Sequence, residues 1–245
     1  MATAAMVVIG DEILSGKTAD TNTPFLISEL RSLGVALREI AVVADGVSAI
    51  AEAVRRVSPR FDYVFTSGGV GPTHDDVTMA GIAEAFAVPV VRHPRLCELL
   101  RSYYAEKDVT LVERNLRMAD VPDGTTLLEG AHLRWPVPRV HNVYILPGIP
   151  EIFRRKFLAI RELFRDAPFH LRQVFVRSEE AVIARHLDQV ALKYSDVALG
   201  SYPRLEPDED GHRVKLTLEG KDLARVDSAT AELVALLGEH IVRMG

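Results

Sequence analysis

A glycine-rich segment followed by two carboxylates lies between Ser67 and Asp76. Glycines in such a segment let the backbone turn sharply and bring its N–H groups close to an anion. The apolar pattern that begins near Thr78 predicts a helix, and a helix N-terminus adds a positive partial charge. We therefore predict a phosphate-binding loop. Its predicted contact residues are Ser67, Gly68, Gly69, Gly71, Pro72, Thr73 and Thr78.

The carboxylates of Asp75 and Asp76 would repel a phosphate in this loop unless a cation lay between them. No lysine or arginine occurs between Phe65 and Met79. A divalent metal such as Mg²⁺ binds carboxylate and phosphate oxygens together, so we predict that Asp75 and Asp76 hold one. The alternative is that one of the two side chains caps the following helix. His74 could bond a phosphate or transfer a proton, or could be an exposed loop histidine.

Two further polar segments follow apolar runs and are expected at the same sheet edge. Gly10, Asp11, Glu12 and Lys17 come directly after the first run, and Asp45 follows the second. Ligands of open α/β sheets bind at the carboxyl ends of the strands, so we include these residues in the candidate site. Lys17 could meet phosphate as a point charge or could be a surface lysine. Asp45 could equally be a turn residue.

The composition and the absence of several motifs exclude other classes of protein. A formal net charge of -5 over 245 residues does not indicate a nucleic-acid surface. The single cysteine, Cys97, excludes an internal disulfide and a cysteine-based zinc cluster, and is expected to be buried. There is no basic leader and no membrane-spanning apolar window, so we expect a cytoplasmic protein without a membrane partner. Walker A, dinucleotide-binding and G-x-S-x-G motifs are absent.

Short apolar runs alternate with helical patterns over the first part of the chain. The predicted strands are 5–9, 37–43, 63–66 and 143–146. The helices predicted beyond the glycine loop include 94–118 and 151–164. This alternation predicts an α/β fold, a three-layer α/β/α sandwich with a mostly parallel sheet.

A change of pattern around Pro168 predicts a domain boundary, with a first domain at 1–168 and a small α+β subdomain at 169–245. The strands predicted in the subdomain are 172–176, 197–201 and 212–218, and the helices are 179–192 and 222–237. Apolar residues alternate with polar ones from Arg213 to Leu218, which is typical of a sheet with one exposed face. The acidic stretch 207–211 is predicted to be a hairpin tip.

Several motifs, in order along most of the chain, resemble the molybdopterin-binding MoaB/Mog-like family. They are 10–16, 20–22, 66–78 and 142–151. The likeness is closer to the branch found at the N-terminus of the competence-damage protein CinA and of eukaryotic-type FAD synthase. Residues 199–203 and 213–217 resemble the FAD synthase relatives in particular. Within the motif 142–151 we predict Gly148 as a further phosphate contact.

The resemblance implies an α/β/α sandwich followed by a small α+β subdomain. It also implies a metal-dependent pyrophosphatase that acts on nucleotide diphosphates such as ADP-ribose or FAD. The aspartates expected to be catalytic in the family match Asp45 and Asp76. The alternative is a non-catalytic molybdopterin- or nucleotide-binding protein related to molybdenum cofactor biosynthesis. Because the family commonly forms dimers or trimers, a homo-oligomer is expected.

Two departures from the Mog pattern favour the CinA-like branch. The Mog group has threonine where this chain has Val70 and a basic residue where it has Asp75. Both differences weaken a pterin-adenylating role. CinA carries a further amidohydrolase domain and FAD synthases a further nucleotide-transfer domain, and the 245 residues leave room for neither. We therefore expect neither of those activities here.

Overall fold

The computed structural model describes residues 1–130 and 133–245, which form two compact units, Met1–Asp166 and Ala167–Gly245. The boundary predicted from the sequence lies at residue 168. Among the helices in these ranges, none has the length and apolar character needed to cross a membrane.

The first unit is built on a mixed sheet with the strand order β2-β1-β3-β8-β7-β6. Neighbouring strands from β2 through β8 in this order run parallel, and β7 and β6 are added by antiparallel pairings. A separate pair, β4 and β5, is antiparallel. The strands are β1 (Thr3–Ile9), β2 (Ala36–Val43), β3 (Tyr63–Ser67), β4 (Val90–Arg92), β5 (Asp120–Pro122), β6 (Thr126–Leu128), β7 (Val137–Val140) and β8 (Val143–Leu146).

Helices cover both faces of this sheet. They are α1 (Asp11–Leu14), α2 (Asn22–Ser32), α3 (Val47–Val57), α4 (Thr78–Phe86), α5 (Pro94–Glu106), α6 (Glu113–Leu116) and α7 (Pro150–Ile160), with 3₁₀ turns at Arg117–Ala119 and Arg161–Phe164. Successive β1 side chains point to opposite faces. Met6 therefore packs in a core with residues of α2 and α7, while Val7 packs in a second core with residues of α3 and α4. The predicted three-layer α/β/α fold is confirmed.

The segment between α4 and β8 differs most from the prediction. A continuous helix at 94–118 is wrong. Helix α5 begins at Pro94, with His93 Nδ1 accepting a bond from the Arg95 backbone N (3.2 Å), and it ends before Asp108, whose φ of 53° is left-handed. The β-branched pair Val109 and Thr110 follows, and such residues disfavour a helix. Strands β4 to β7 have three or four residues each and were not predicted.

The second unit is an antiparallel sheet, in the order β10-β11-β9-β12, covered by two helices. The elements are β9 (His170–Val176), α8 (Glu180–Lys193), β10 (Ala198–Pro203), β11 (Val214–Gly220), α9 (Leu223–Leu237), a 3₁₀ turn at Gly238–His240, and β12 (Ile241–Met244). The alternation predicted for β11 is confirmed, because Val214, Leu216 and Leu218 are buried in the core. The acidic stretch 207–211 lies in the connection between the antiparallel strands β10 and β11, as predicted.

Candidate active site

The parallel strands bring the predicted site segments to one edge of the first unit's sheet. Strands β1, β2, β3 and β8 run in the same direction, so their carboxyl ends lie side by side. The segments that begin at Gly10, Asp45, Gly68 and Pro147 follow these ends directly. Strand order alone thus gathers segments that are far apart in the sequence.

Gly68 is required by the close approach of the glycine loop to β1. Its φ is 105°, and a Cβ at this position would overlap the carbonyl oxygen of Ile9. Gly69 is also left-handed, with a φ of 59°. The loop is tied to α4 by Thr78, whose hydroxyl donates to the Gly68 carbonyl (2.8 Å) and whose backbone N donates to the Gly69 carbonyl (3.2 Å). The buried Thr78 residue therefore fixes the backbone of Gly68 and Gly69 through these two hydrogen bonds.

Asp76 folds back on its own loop. Its Oδ2 accepts hydrogen bonds from the Thr73 backbone N (2.8 Å) and from the Thr73 hydroxyl. A Cβ added to Gly71 would lie 2.5 Å from the same Oδ2, so the glycine lets backbone and carboxylate meet. The N-cap residue of α4 is Val77, without a side-chain cap, so the alternative that Asp75 or Asp76 caps this helix is wrong.

Asp75 and His74 lie on the outer side of the loop. The Asp75 side chain is exposed, and the nearby polar Thr73 side chain and the Asp75 backbone N–H lower the pKa of Asp75 below the ordinary value. Asp75 is therefore an anion at neutral pH. The His74 side chain is 97% exposed, with Nδ1 3.8 Å from Asp75 Oδ1, which matches the exposed-loop alternative.

Asp45 supports the first polar segment. Its Oδ2 accepts a hydrogen bond from the Asp11 backbone N (2.8 Å), and the Gly10 N donates to the Val43 carbonyl (3.1 Å). Asp45 therefore holds the turn after β1 against the end of β2. Asp11, Glu12 and Lys17 are exposed. Their predicted contacts with phosphate stay predictions.

Asn22 is a site residue that the sequence did not single out. It is 4% exposed, and its Nδ2 donates to Ser67 Oγ (2.9 Å) and to the Gly148 carbonyl (2.8 Å). Asp20 caps the same helix, since its Oδ1 accepts from the backbone N of Asn22 and Thr23 (2.9 and 3.0 Å). The sequence offered only the Asp20-Thr21-Asn22 motif as a signal. The hydrogen-bond partners of Asn22, Ser67 and Gly148, are remote from it in the sequence.

The Ser67 and Gly148 positions are thus structural neighbours. A Cβ on Gly148 would lie 3.3 Å from the Gly68 Cα, so the loops after β3 and β8 are in contact. The Ser67 side chain is buried and accepts from Asn22. Pro72 and Gly71 instead line an open cavity. The predicted phosphate residues therefore divide into those that support the loop and those that face a cavity.

A small cavity of about 130 Å³ adjoins the glycine loop. Gly69, Val70, Gly71 and Asp76 line one side of it, and residues near β5 line another. Among these is Arg117, a cation that sequence inspection of the loop alone missed, because it comes from the 3₁₀ turn before β5. A phosphate here would have a guanidinium within the same cavity. Asp120 also lines it and forms an ion pair with Arg92 (2.9 Å).

A larger cavity of about 490 Å³ also adjoins the glycine loop, and Val70, Gly71 and Pro72 contribute to its wall. The buried Lys156 on α7 also lines it. Burial, together with the neighbouring Arg155 charge, lowers the pKa of Lys156 to about 8. No residue of this cavity beyond the loop was predicted from the sequence.

The carboxylates near the loop suit a metal ion that is bound partly by the protein and partly by the substrate. Within residues 1–130 and 133–245 no three His, Cys, Asp or Glu side chains form a cluster able to hold a metal ion, so Asp45 does not join Asp75 and Asp76 in one. Mg²⁺ commonly binds through one or two carboxylates together with substrate phosphates and waters. Two adjacent carboxylates match that number of protein ligands, and of the two only Asp76 lines the small cavity.

Comparison with known proteins identifies the family. Residues 5–166 match the family described as "Probable molybdopterin binding domain". The chain belongs to this family. Residues 168–244 match a second description, "FAD synthase, middle domain".

Proteins similar to this chain match different shares of it and differ in their own length. A "Probable FAD synthase" of Caenorhabditis elegans is 35% identical over 98% of this chain and 51% of its own length. A protein of Archaeoglobus fulgidus is 32% identical over 96% of this chain and 97% of its own length. The solved structure of CinA, of unknown function, from Thermoplasma acidophilum superposes with a TM-score of 0.60 at 28% identity, covering 67% of this chain and 99% of that one.

The chain thus spans about half the length of the FAD synthase relative and nearly all of the archaeal one. The CinA structure supports the fold of the first unit. The predicted resemblance to the molybdopterin-binding family, in its CinA and FAD synthase branch, is confirmed.

Proposed function

We propose that this protein is a metal-dependent pyrophosphatase that cleaves dinucleotides of the FAD or ADP-ribose kind. One observation carries the proposal: Asp76 Oδ2 packs against Gly71, and both line the small cavity beside the glycine loop. Any phosphate bound to the loop's backbone N–H groups would therefore also lie near a carboxylate. A site that only bound anions would be weakened by that carboxylate.

The reaction would be attack of water on one phosphorus of the pyrophosphate. The bond from that phosphorus to the bridging oxygen breaks, and the bridging oxygen leaves with the other phosphate, giving AMP and a second phosphomonoester. A divalent metal, when bound, neutralises the phosphates and lowers the pKa of the attacking water. Asp75 and Asp76 would hold it, and the backbone of Gly68 to Gly71 would bind the charge that develops on oxygen.

Other residues of the chain would orient the substrate. Arg117, which lines the same cavity as Asp76, would pair with a phosphate oxygen. Asp45 would act through its hydrogen bond to Asp11 by fixing the turn after β1, where Gly10, Glu12 and Lys17 could contact the second phosphate. The name of the Caenorhabditis elegans relative, FAD synthase, supports a flavin dinucleotide as a substrate class.

A second function is favoured by the family description, "Probable molybdopterin binding domain". Under that alternative the same loop binds the phosphate of a pterin or nucleotide and no bond is cleaved. The two functions differ in their products. Incubation of the protein with FAD and with ADP-ribose, in Mg²⁺, Mn²⁺ or Co²⁺, should release AMP, and EDTA should stop the release. Tight binding of either nucleotide with no AMP under any metal would favour the binding function instead.

A further inference from the structure

Lys156 is a buried amine that the proposed bond cleavage does not use. The residue lies on α7 and is only 7% exposed, yet it lines the larger cavity beside the glycine loop. That cavity has a volume of about 490 Å³, which is within the range of small-molecule sites. A molecule in the cavity would therefore meet a lysine that is largely shielded from bulk water.

Two backbone carbonyls hold the end of the Lys156 side chain in one place. Its Nζ donates to the carbonyl oxygen of Trp135 (3.0 Å) and to that of Pro136 (2.7 Å). A neutral amine has two N–H donors, which suffice for both bonds, and its lone pair takes the remaining tetrahedral direction. Loss of the ammonium proton therefore leaves both hydrogen bonds in place.

The surroundings of Lys156 favour the neutral amine. No Asp or Glu occurs among the described residues of the cavity wall, whose other charged side chains are Arg134 and Arg155. Burial, followed by the charge of Arg155, lowers the pKa of Lys156 to about 8. A lysine is nucleophilic only when neutral, and removal from water or a neighbouring cation is how proteins activate one. Lys156 has both features.

The two arginines of the wall indicate what kind of molecule would reach this amine. Arg134 forms an ion pair with Glu106, and its Cζ lies 4.7 Å from the centroid of the Tyr103 ring. Among the described residues Arg155 forms no such ion pair, so its guanidinium is available to an anion. Arginine binds phosphate through paired, charge-assisted hydrogen bonds. A phosphate group on the incoming molecule would therefore be bound next to the amine.

We propose that Lys156 is a site of covalent attachment for an aldehyde that carries a phosphate, with Arg155 binding the phosphate. The Nζ lone pair forms a bond to the carbonyl carbon, and the C–O bond breaks. The oxygen leaves as water with one amine proton and one proton from solvent. The product is a protonated imine, whose remaining N–H still donates to one of the two backbone carbonyls. The attached molecule would occupy the larger cavity.

Reductive trapping and peptide mapping test this site without any nucleotide. The full chain is incubated separately with pyridoxal 5′-phosphate, an aromatic aldehyde, and with ribose 5-phosphate, a sugar whose open form is an aldehyde. Borohydride then reduces the imine to a stable amine. The chain has six lysines, and mass spectrometry of its peptides resolves them from one another and from the N-terminal amine.

We expect at least one of the two aldehydes to label Lys156 about tenfold faster than the exposed Lys17. The aldehyde with the higher ratio of Lys156 to Lys17 labelling identifies whether the natural molecule is aromatic or a sugar. Labelling of Lys156 no faster than that of Lys17 with both aldehydes would overturn the proposal. The readout needs no hydrolysis, so the proposed function can fail while this site stands.

Pyridoxal, which lacks the phosphate, tests the role of Arg155. The ratio of Lys156 to Lys17 labelling should be about tenfold lower with pyridoxal than with pyridoxal 5′-phosphate, and Arg155→Met should remove most of that difference. Arg154→Met is the matched control, because Arg154 lies over the Phe25 ring and outside the cavity wall. Equal ratios with the two aldehydes in the wild type, or equal effects of the two variants, would contradict phosphate binding by Arg155.

Unfolding separates an effect of the cavity from an effect of the local sequence. Lys156 follows two arginines in the chain, and this neighbourhood persists in urea. In urea above the unfolding transition, Lys156 and Lys17 should be labelled at rates within about twofold of each other, because the burial that activates Lys156 is lost. Preferential labelling of Lys156 that survives unfolding would overturn the assignment to the folded cavity.

Discussion

The Asn22 side chain donates a 2.9 Å hydrogen bond to the hydroxyl of Ser67, and the same Nδ2 donates to the Gly148 carbonyl at 2.8 Å. Asn22 begins α2, Ser67 ends β3, and Gly148 follows β8. One buried amide therefore connects the start of α2 to the end of β3, where the glycine loop begins, and to the segment after β8.

Removing this amide should destabilise the first unit. Asn22→Ala loses two hydrogen bonds and leaves the buried Ser67 hydroxyl without this donor, so we expect the free energy of unfolding to fall by about 1–3 kcal/mol. Urea unfolding followed by fluorescence of the single tryptophan, Trp135, measures it. The control is Asn115→Ala, on the short helix α6, which should change stability by less than about 0.5 kcal/mol. Equal effects of the two variants would show that the amide does not hold the loops together.

Gly68 and Gly124 form a matched pair for testing the loop geometry. Both have a left-handed φ, 105° and 80°, but a Cβ at Gly68 would overlap the Ile9 carbonyl while a Cβ at Gly124 meets nothing within 4 Å. Gly124→Ala should cost only backbone strain of about 1 kcal/mol, whereas Gly68→Ala should cost well over that because backbone must move. Thermal unfolding of both variants checks the difference. A smaller loss for Gly68→Ala than for Gly124→Ala would contradict the close approach of the loop to β1.

Lys156 should make stability depend on pH in the alkaline range. Burial lowers its pKa from 10.5 to about 8. Between these values the unfolded chain holds a proton that the folded chain has released, so the group's contribution to stability rises with pH across this window. The free energy of unfolding of the wild type, relative to that of Lys156→Met, should therefore rise by up to about 3 kcal/mol between about pH 8 and about pH 10.

Urea unfolding of the two proteins at several pH values gives the difference directly. Lys17→Met, at an exposed lysine, is the control and should show no such gain relative to wild type. A wild-type advantage over Lys156→Met that stays constant with pH would mean that Lys156 titrates normally.

Asp210 should contribute acid-sensitive stability to the second unit. Hydrogen bonds from Arg243 and His212 hold the pKa of Asp210 below its ordinary value of 3.8. Its contribution is therefore present above pH 3.8 and is lost as the pH falls through the lower value of the folded protein. Asp210→Asn should reduce the hydrogen-exchange protection of β9 and β11 at neutral pH. The difference in protection between the wild type and this variant should become smaller in strong acid. Asp188→Asn on α8 is the matched exposed control. A deficit of the same size at both pH values would contradict this origin of the stability.

The sequence predicted the strands whose apolar pattern is local and uninterrupted. Residues 5–9 and 143–146 are apolar without alternation, as a strand buried on both faces requires, and both are strands of the central sheet. The strands β5 and β7 could not be predicted, because Pro122 and Pro138 interrupt their apolar pattern. Pairing with a neighbour, which is a tertiary effect, decides those elements.

The site was predicted where its residues directly follow the predicted strands. The glycine loop and the Asp75–Asp76 pair are one segment, and their residue types indicated an anion site. Arg117 and Lys156 reach the same two cavities from elements remote from the loop. Nothing in their local sequence distinguishes them from surface cations, since only packing of α7 and of the turn before β5 brings them to the loop. The loop itself contains no basic residue, but Arg117 lines the cavity beside it.

The proposed hydrolysis depends most on Asp76, and one comparison of variants tests that dependence directly. AMP release from FAD and from ADP-ribose is measured with Mg²⁺, Mn²⁺ and Co²⁺ for the wild type, for Asp76→Asn, and for Asp123→Asn, an exposed aspartate outside both cavities. Asn is isosteric with Asp and retains an acceptor for Thr73, so the loop should keep its shape, which Trp135 emission can monitor. We predict metal-dependent AMP release by the wild type and Asp123→Asn, and a loss of about a hundredfold or more in Asp76→Asn. No AMP from the wild type under any metal, or turnover by Asp76→Asn at the wild-type rate, would contradict the account.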